Sequence, residues 1–108
     1  MSNKDRMVRQ KPFLKSILRE ANRKKRKALV DYANKDQINA VSELVLNTLK
    51  GRVPISEATR KKMARHKGTL RKLAKRTTSL KAKKRLLNAQ KGGGFWQGLD
   101  CCHRQCRI

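Results

Sequence analysis

Between Ala58 and Lys91 the chain carries fourteen Lys or Arg and not one Asp or Glu. Like charges at that density repel one another in a compact state. Whatever this third of the chain folds into must therefore hold its cations outward, on narrow apolar scaffolds, toward a polyanionic counter-surface. The bias extends to the whole sequence, with 30 Lys and Arg against 7 Asp and Glu in 108 residues and a net charge of +23. Such an excess is the electrostatic footprint of a nucleic-acid binder.

A chain of this length supports one small domain with a modest core. Its aromatic content is one Trp, one Tyr and two Phe, too little for the stacking platforms of single-strand binders or the aromatic pairs of an RNA-recognition sheet. Contacts to the nucleic-acid backbone are therefore expected ahead of base reading. No run approaches the eighteen or so apolar residues of a membrane span, and Met1 to Gln10 lacks the apolar stretch of a secretory signal. The expectation is an intracellular protein, in the nucleus or a virion, with membrane contact disfavoured.

The periodicity predicts an all-α fold, a small bundle of four to five short helices flanked by a disordered N-terminal arm, residues 1–10, and a disordered C-terminal tail. Pro12 suits a first helical turn, and Phe13, Leu14, Ile17, Leu18 and Ala21 follow at helical spacing. A second stripe, Ala28, Leu29, Tyr32 and Ala33, ends at Asn34, read as a left-handed cap. Asp36 is then the expected N-cap of the strongest element, in which Ile38, Val41, Leu44, Val45, Leu46 and Leu49 line one face before Gly51 stops it. Residues 11–57 read as the apolar core and 58–91 as a basic helical segment. In the latter, Ser56 and Ser79 serve as N-caps, Gly68 marks a break, and Leu70, Leu73, Leu80, Leu86 and Leu87 form thin stripes. Residues 92–108 read as a glycine hinge followed by a cysteine-containing tail.

The candidate phosphate-binding residues fall into two sets. One is the pentamer Arg23, Lys24, Lys25, Arg26 and Lys27, a pattern that also fits a nuclear-import signal. The other is Arg60, Lys61, Lys62, Arg65, Lys67, Arg71, Lys72, Lys75, Arg76, Lys81, Lys83, Lys84 and Arg85. The bland alternative for both is a solvated face, but from Lys62 onward the second set has no acidic neighbours in sequence with which to form surface pairs. A helix-turn-helix around Gly51 to Ser56 has a long connection and no evident base-reading cluster.

Other chemistry finds little footing. The carboxylates are scattered, no phosphate loop of the G-x-x-x-x-G-K type is present, and His66 reads as an exposed helix residue, so no enzymatic activity and no cofactor are expected. Cys101, Cys102, His103 and Cys106 make a nominal four-ligand zinc set, yet structural zinc sites join two separated ligand pairs. Free thiols or an intermolecular disulfide suit them better, and no metal is assigned. Gly92 to Gly94 reads as a hinge or a processing site, and Phe95, Trp96 and Leu99 as part of a disordered end.

The order of segments carries a resemblance. The run KPFLKSILREANRKKRKALVDYANKDQINAVSELVLNTLKGRVPIS and the basic LRKLAKRTTSLKAKKRLLNAQKGGGF are similar to small basic proteins of Polinton/Maverick-type mobile elements and adenovirus-like DNA viruses. The likeness spans about residues 11 to 95. It implies a core protein that coats or condenses double-stranded DNA, with the residues from Lys61 to Arg85 as phosphate contacts and Gly92 to Gly94 open to a maturation protease. After the glycines this chain departs from that pattern, turning to Trp96-Gln97-Gly98-Leu99 and its cysteines.

The expected function is non-enzymatic, sequence-nonspecific binding and compaction of double-stranded DNA by charge neutralisation. An RNA-binding component of a ribonucleoprotein is the rival. A third reading is a helical interaction module that engages a protein partner, or itself, through the helix of residues 36–50.

Overall fold

The computed structural model describes residues 3–51, 53–90 and 93–105. Among them the chain is all-helical, with eight α-helices in the order α1 (Asn3–Arg9), α2 (Lys11–Arg19), α3 (Arg23–Tyr32), α4 (Lys35–Leu49), α5 (Glu57–Ala64), α6 (Lys67–Ala74), α7 (Leu80–Asn88) and α8 (Gly93–Gln105). The all-α class agrees with the periodicity. The count exceeds the expected four to five because both ends of the chain, expected to be disordered, contribute α1 and α8, and the basic segment divides into three helices, α5, α6 and α7.

Helix α4 is the longest at 15 residues and the hub of the packing. Ile38, Val41, Leu44 and Val45 are fully buried along it, and α1, α2, α6, α7 and α8 all pack against it. The stripe, read as core with a partner surface as the alternative, is largely covered within the chain, leaving Leu49 exposed at its end. Its start corrects the expected capping. Asn34 does not close α3 in a left-handed conformation. With φ −83° it is the N-cap of α4, its Oδ1 accepting from the Gln37 N–H at 2.8 Å while the Gln37 side chain accepts from the Asn34 N–H at 2.9 Å. This reciprocal box satisfies two otherwise orphaned donors and leaves Asp36 free to bond outward. At the other end Gly51 has φ +71°, the left-handed geometry that glycine adopts without a Cβ penalty.

The N-terminal arm is α1, and its anchor on α4 is mostly ionic. Arg6 Nε donates to Asp36 Oδ1 at 3.1 Å and its Nη1 to Glu43 Oε1 at 3.0 Å, while Arg9 and Gln10 also donate to Asp36. Met7 is buried beneath, with Asn47 Nδ2 donating to its sulfur at 3.5 Å. Met7 is the one buried side chain among residues 6–10, which leaves no stripe to read.

The C-terminal end is the larger correction. Gly93 and Gly94 do not end regular structure; they open α8, and Phe95, Trp96, Leu99 and Cys102 on it are each 0–1% exposed. Those positions recur at i, i+1, i+4 and i+7, so one face of α8 is apolar and packs against α2, α4 and α5. Burying it outweighs the cost of about 1 kcal/mol for each glycine held in a helix. Phe95 and Trp96 meet edge to face with ring centroids 5.4 Å apart, and His66 approaches Phe95 at the same distance. His66 is therefore half-buried rather than exposed. It lies at the α5–α6 junction, and Gly68 falls inside α6, so the chain turns two residues before that glycine.

Gly98 sits where α8 crosses α5, and a Cβ there would overlap the sulfur of buried Met63. Gly98→Ala should lower stability by about 1–3 kcal/mol through overpacking, read as a shifted urea midpoint. A midpoint equal to that of the parent would mean that Met63 swings aside at no cost.

Candidate nucleic-acid interface

Each basic helix after α4 buries a thin apolar edge, and α5 and α6 leave most of their remaining positions to solvent. Met63 on α5, Leu70 and Leu73 on α6, and Leu87 on α7 are buried. Ser56 and Ser79 cap α5 and α7 as expected, their hydroxyls accepting from the Thr59 and Ala82 N–H groups. Asn22 caps α3, its Oδ1 accepting from Lys24 and Lys25 N–H. The pentamer Arg23 to Lys27 therefore forms the first turns of a helix instead of preceding one.

Fifteen of the eighteen candidate cations are exposed: Arg23, Lys24, Lys25, Lys27, Arg60, Lys61, Lys62, Arg65, Lys67, Arg71, Lys72, Lys75, Arg76, Lys81 and Arg85. Among the described residues Lys27 is the one candidate in an ion pair, its Nζ 2.6 Å from Asp31 Oδ2. Of the carboxylates, Asp36 and Glu43 pair with Arg6 and Arg9, and Asp100 with Arg19 and Arg104, while Glu57 stands exposed at the start of α5. Apart from Glu57, the field of the exposed cations over α5, α6 and α7 meets no acidic side chain on those helices.

The fold joins the two candidate sets, because α3 packs against α7. Asp31 clasps the junction: besides Lys27, its other carboxylate oxygen accepts from Asn88 Nδ2 at 2.9 Å, and its backbone carbonyl from Lys84 Nζ at 2.9 Å. The Lys27 and Asn88 hydrogen bonds hold the Asp31 carboxyl below the usual carboxylate range. Lys84 is accordingly half-buried and tethered.

Two candidates depart from an outward-facing role. Arg26 is half-buried, its guanidinium 4.8 Å from the Trp96 ring centroid and donating to the Glu20 carbonyl. It serves as a lid on the core through a cation–π contact. Lys83 is 5% exposed and donates to Asn39 Oδ1 at 3.3 Å. Desolvation lowers its pKa, Glu43 opposes that shift, and Arg6 and Lys35 add to it. The spacing carries the signal, since Lys83 sits three residues after Leu80 and four before Leu87, on the inner face of α7.

The tail set is dispersed. Cys101 is exposed and Cys102 fully buried, so adjacent positions on α8 look in different directions, and Cys106 lies outside the described residues. Burial lowers the His103 pKa; Asp100 opposes this, and Lys11, Arg19 and Lys15 reinforce it.

These shifts fix the direction of the pH dependence. A base whose folded pKa lies below its unfolded value, near 6.5, loses stability as pH falls from that value through the folded one. His103 therefore begins to destabilise α8 below about pH 6.5. Asp36 is also lowered, by Arg9 first, then Gln10 and Arg6. Its contribution and that of Asp31 are complete above about pH 4 and lost as pH falls through their lower folded values. The thermal midpoint should decline as pH falls from about 10.4 through the lower folded value of Lys83, decline again gently below about pH 6.5 and fall more steeply below about pH 4. A midpoint that rises on acidification would contradict both assignments.

No protein-family model, curated protein or solved structure matches the chain.

Proposed function

We propose that this protein is a non-enzymatic, sequence-nonspecific binder of double-stranded DNA that compacts its ligand by charge neutralisation. The observation that carries the reading is the set of exposed cations on α3, α5, α6 and α7, all but Lys27 without a carboxylate partner among the described residues. The Cα envelope measures 33 × 33 × 25 Å, which matches about one turn of duplex at roughly 34 Å. At one phosphate charge per about 1.7 Å of helix axis, a body of that length faces enough phosphates for about 6–10 of them to be neutralised. Lys83 and Arg26 are left out of the binding set, because the first is buried and the second is engaged on Trp96.

The scarcity of aromatic side chains on the surface supports backbone contact over base stacking. Phe95 and Trp96 are buried, which leaves Tyr32 as the exposed aromatic among the described residues. A role as a virion or mobile-element core protein belongs to the same reading, on the strength of the resemblance to such proteins over residues 11 to 95.

A salt titration of binding to DNA and RNA duplexes of equal length tests the proposal. The expected outcome is a steep linear fall of log K with log salt, with indifference to DNA sequence and weaker binding to RNA. Equal or tighter binding to RNA transfers the reading to a ribonucleoprotein component. Failure to bind either duplex in dilute buffer removes it.

A further inference from the structure

Beside the N-terminal half of α4 and the turn joining α6 to α7, the surface opens into a cleft of about 540 Å³. Arg6, Lys35, Arg76 and Lys83 bring four cations to its lining, and Thr78 adds a hydroxyl. Lys83 is the deepest of the four. An ammonium group carries three donors, and this one, 5% exposed, makes a single hydrogen bond of 3.3 Å to Asn39. A buried cation so thinly partnered calls for a counter-ion.

The acid that lines the cleft supplies only part of it. Glu43 Oε1 is taken by Arg6 at 3.0 Å, while Oε2 is buried with no hydrogen-bond partner. The cleft therefore has donors in excess and one orphaned acceptor. The N-terminus of α7, a helix of 9 residues, adds its partial positive charge alongside.

A ligand that answers this arrangement presents several anionic oxygens and, on the same small group, one O–H donor. Sulfate offers acceptors alone. Internucleotide phosphodiesters carry one charge and no ionisable proton near neutrality, so the duplex backbone does not answer it either. A phosphate group with its last proton, which it loses with a pKa of about 6, has both. We propose that the cleft binds a protonated phosphate group, as inorganic phosphate or a phosphomonoester, with its oxygens toward Lys83, Arg76 and Thr78 and its P–OH donating to Glu43 Oε2. This site shares Arg76 with the duplex-binding surface but does not depend on it, and the failure of either reading leaves the other standing.

The test uses the full chain at about pH 6, with enough chloride to screen the surface cations. Amide chemical shifts are followed during titration with inorganic phosphate, ribose 5-phosphate and sulfate. Phosphate should produce saturable one-site changes confined to the cleft and bind about tenfold tighter than sulfate, the size of one hydrogen bond to a charged group. Ribose 5-phosphate matching phosphate identifies a monoester as the ligand; phosphate alone identifies the free ion. Lys83→Met should abolish the saturable response and leave the salt slope on duplex DNA unchanged. Glu43→Gln, whose amide still accepts from Arg6 and can turn a donor toward the ligand, should erase the preference over sulfate. If Lys83→Met does not fold, Arg76→Gln, at an exposed position, should weaken phosphate several-fold. Sulfate binding as well as phosphate to the parent chain overturns the proposal. So do shifts scattered over the lysines without saturation, or full phosphate affinity in the folded Lys83→Met variant, or in Arg76→Gln should that variant not fold.

Discussion

Replacing Trp96 with Ala should cost about 3–5 kcal/mol of folding stability, about a fifth or more of the total that a domain of this size has. The ring is 1% exposed, abuts Phe95 edge to face, and carries the Arg26 guanidinium 4.8 Å above its centroid. Truncation leaves a cavity where α8 meets the core and removes the aromatic face on which a half-buried cation rests. Trp96→Phe should cost much less, since it keeps an aromatic face for Arg26 and discards an indole N–H that has no partner. Chains ending at residue 92 would lose Phe95, Trp96, Leu99 and Cys102 together and should show no cooperative transition. Urea denaturation followed by circular dichroism measures all three. An undiminished midpoint in the shortened chain would mean that α8 is an appendage and that the core closes without it.

That expectation reverses what Gly92 to Gly94 suggest in the sequence, and the reason is physical. Local propensity at three consecutive glycines argues against a helix, whereas the helix is decided by four apolar side chains further along that have a cavity to fill. The i, i+1, i+4, i+7 spacing was visible; the space between α2, α4 and α5 that receives it was not. Helix α1 escaped notice for the opposite reason, being held by Arg6 and Arg9 on Asp36 and Glu43 across 27 to 37 residues of chain, a pairing that no local pattern announces. Helix α4 was legible almost in full, because its stripe, the stop at Gly51 and its length are all local properties. The cations at exposed positions were legible too, since an acid-free tract with thin leucine stripes has nowhere to put most of its charge but outward. Lys83 is the exception, turned inward by the register of Leu80 and Leu87.

Changing Lys61, Lys62, Arg71 and Lys72 together to Gln should lower the salt slope on duplex DNA by about 3.6, at roughly 0.9 for each phosphate that is no longer neutralised. At 0.1 M salt a change of that size corresponds to a loss in affinity of about three and a half orders of magnitude. All four side chains are exposed on α5 and α6 and stand outside every ion pair among the described residues. Their removal should therefore leave the thermal midpoint unchanged or raise it slightly, by relieving self-repulsion. The two measurements separate the explanations. Weaker binding with an unaltered slope would point to a disturbed fold, and a fallen midpoint would confirm that. Unaltered binding would move the binding surface to α3 and α7, where Asp31 holds Lys27 and Lys84 beside the remaining cations of the pentamer. A reduced slope at constant stability is the outcome that a surface built for phosphate neutralisation requires, because counterion release depends on how many cations meet the backbone and not on how tightly the core beneath them is packed.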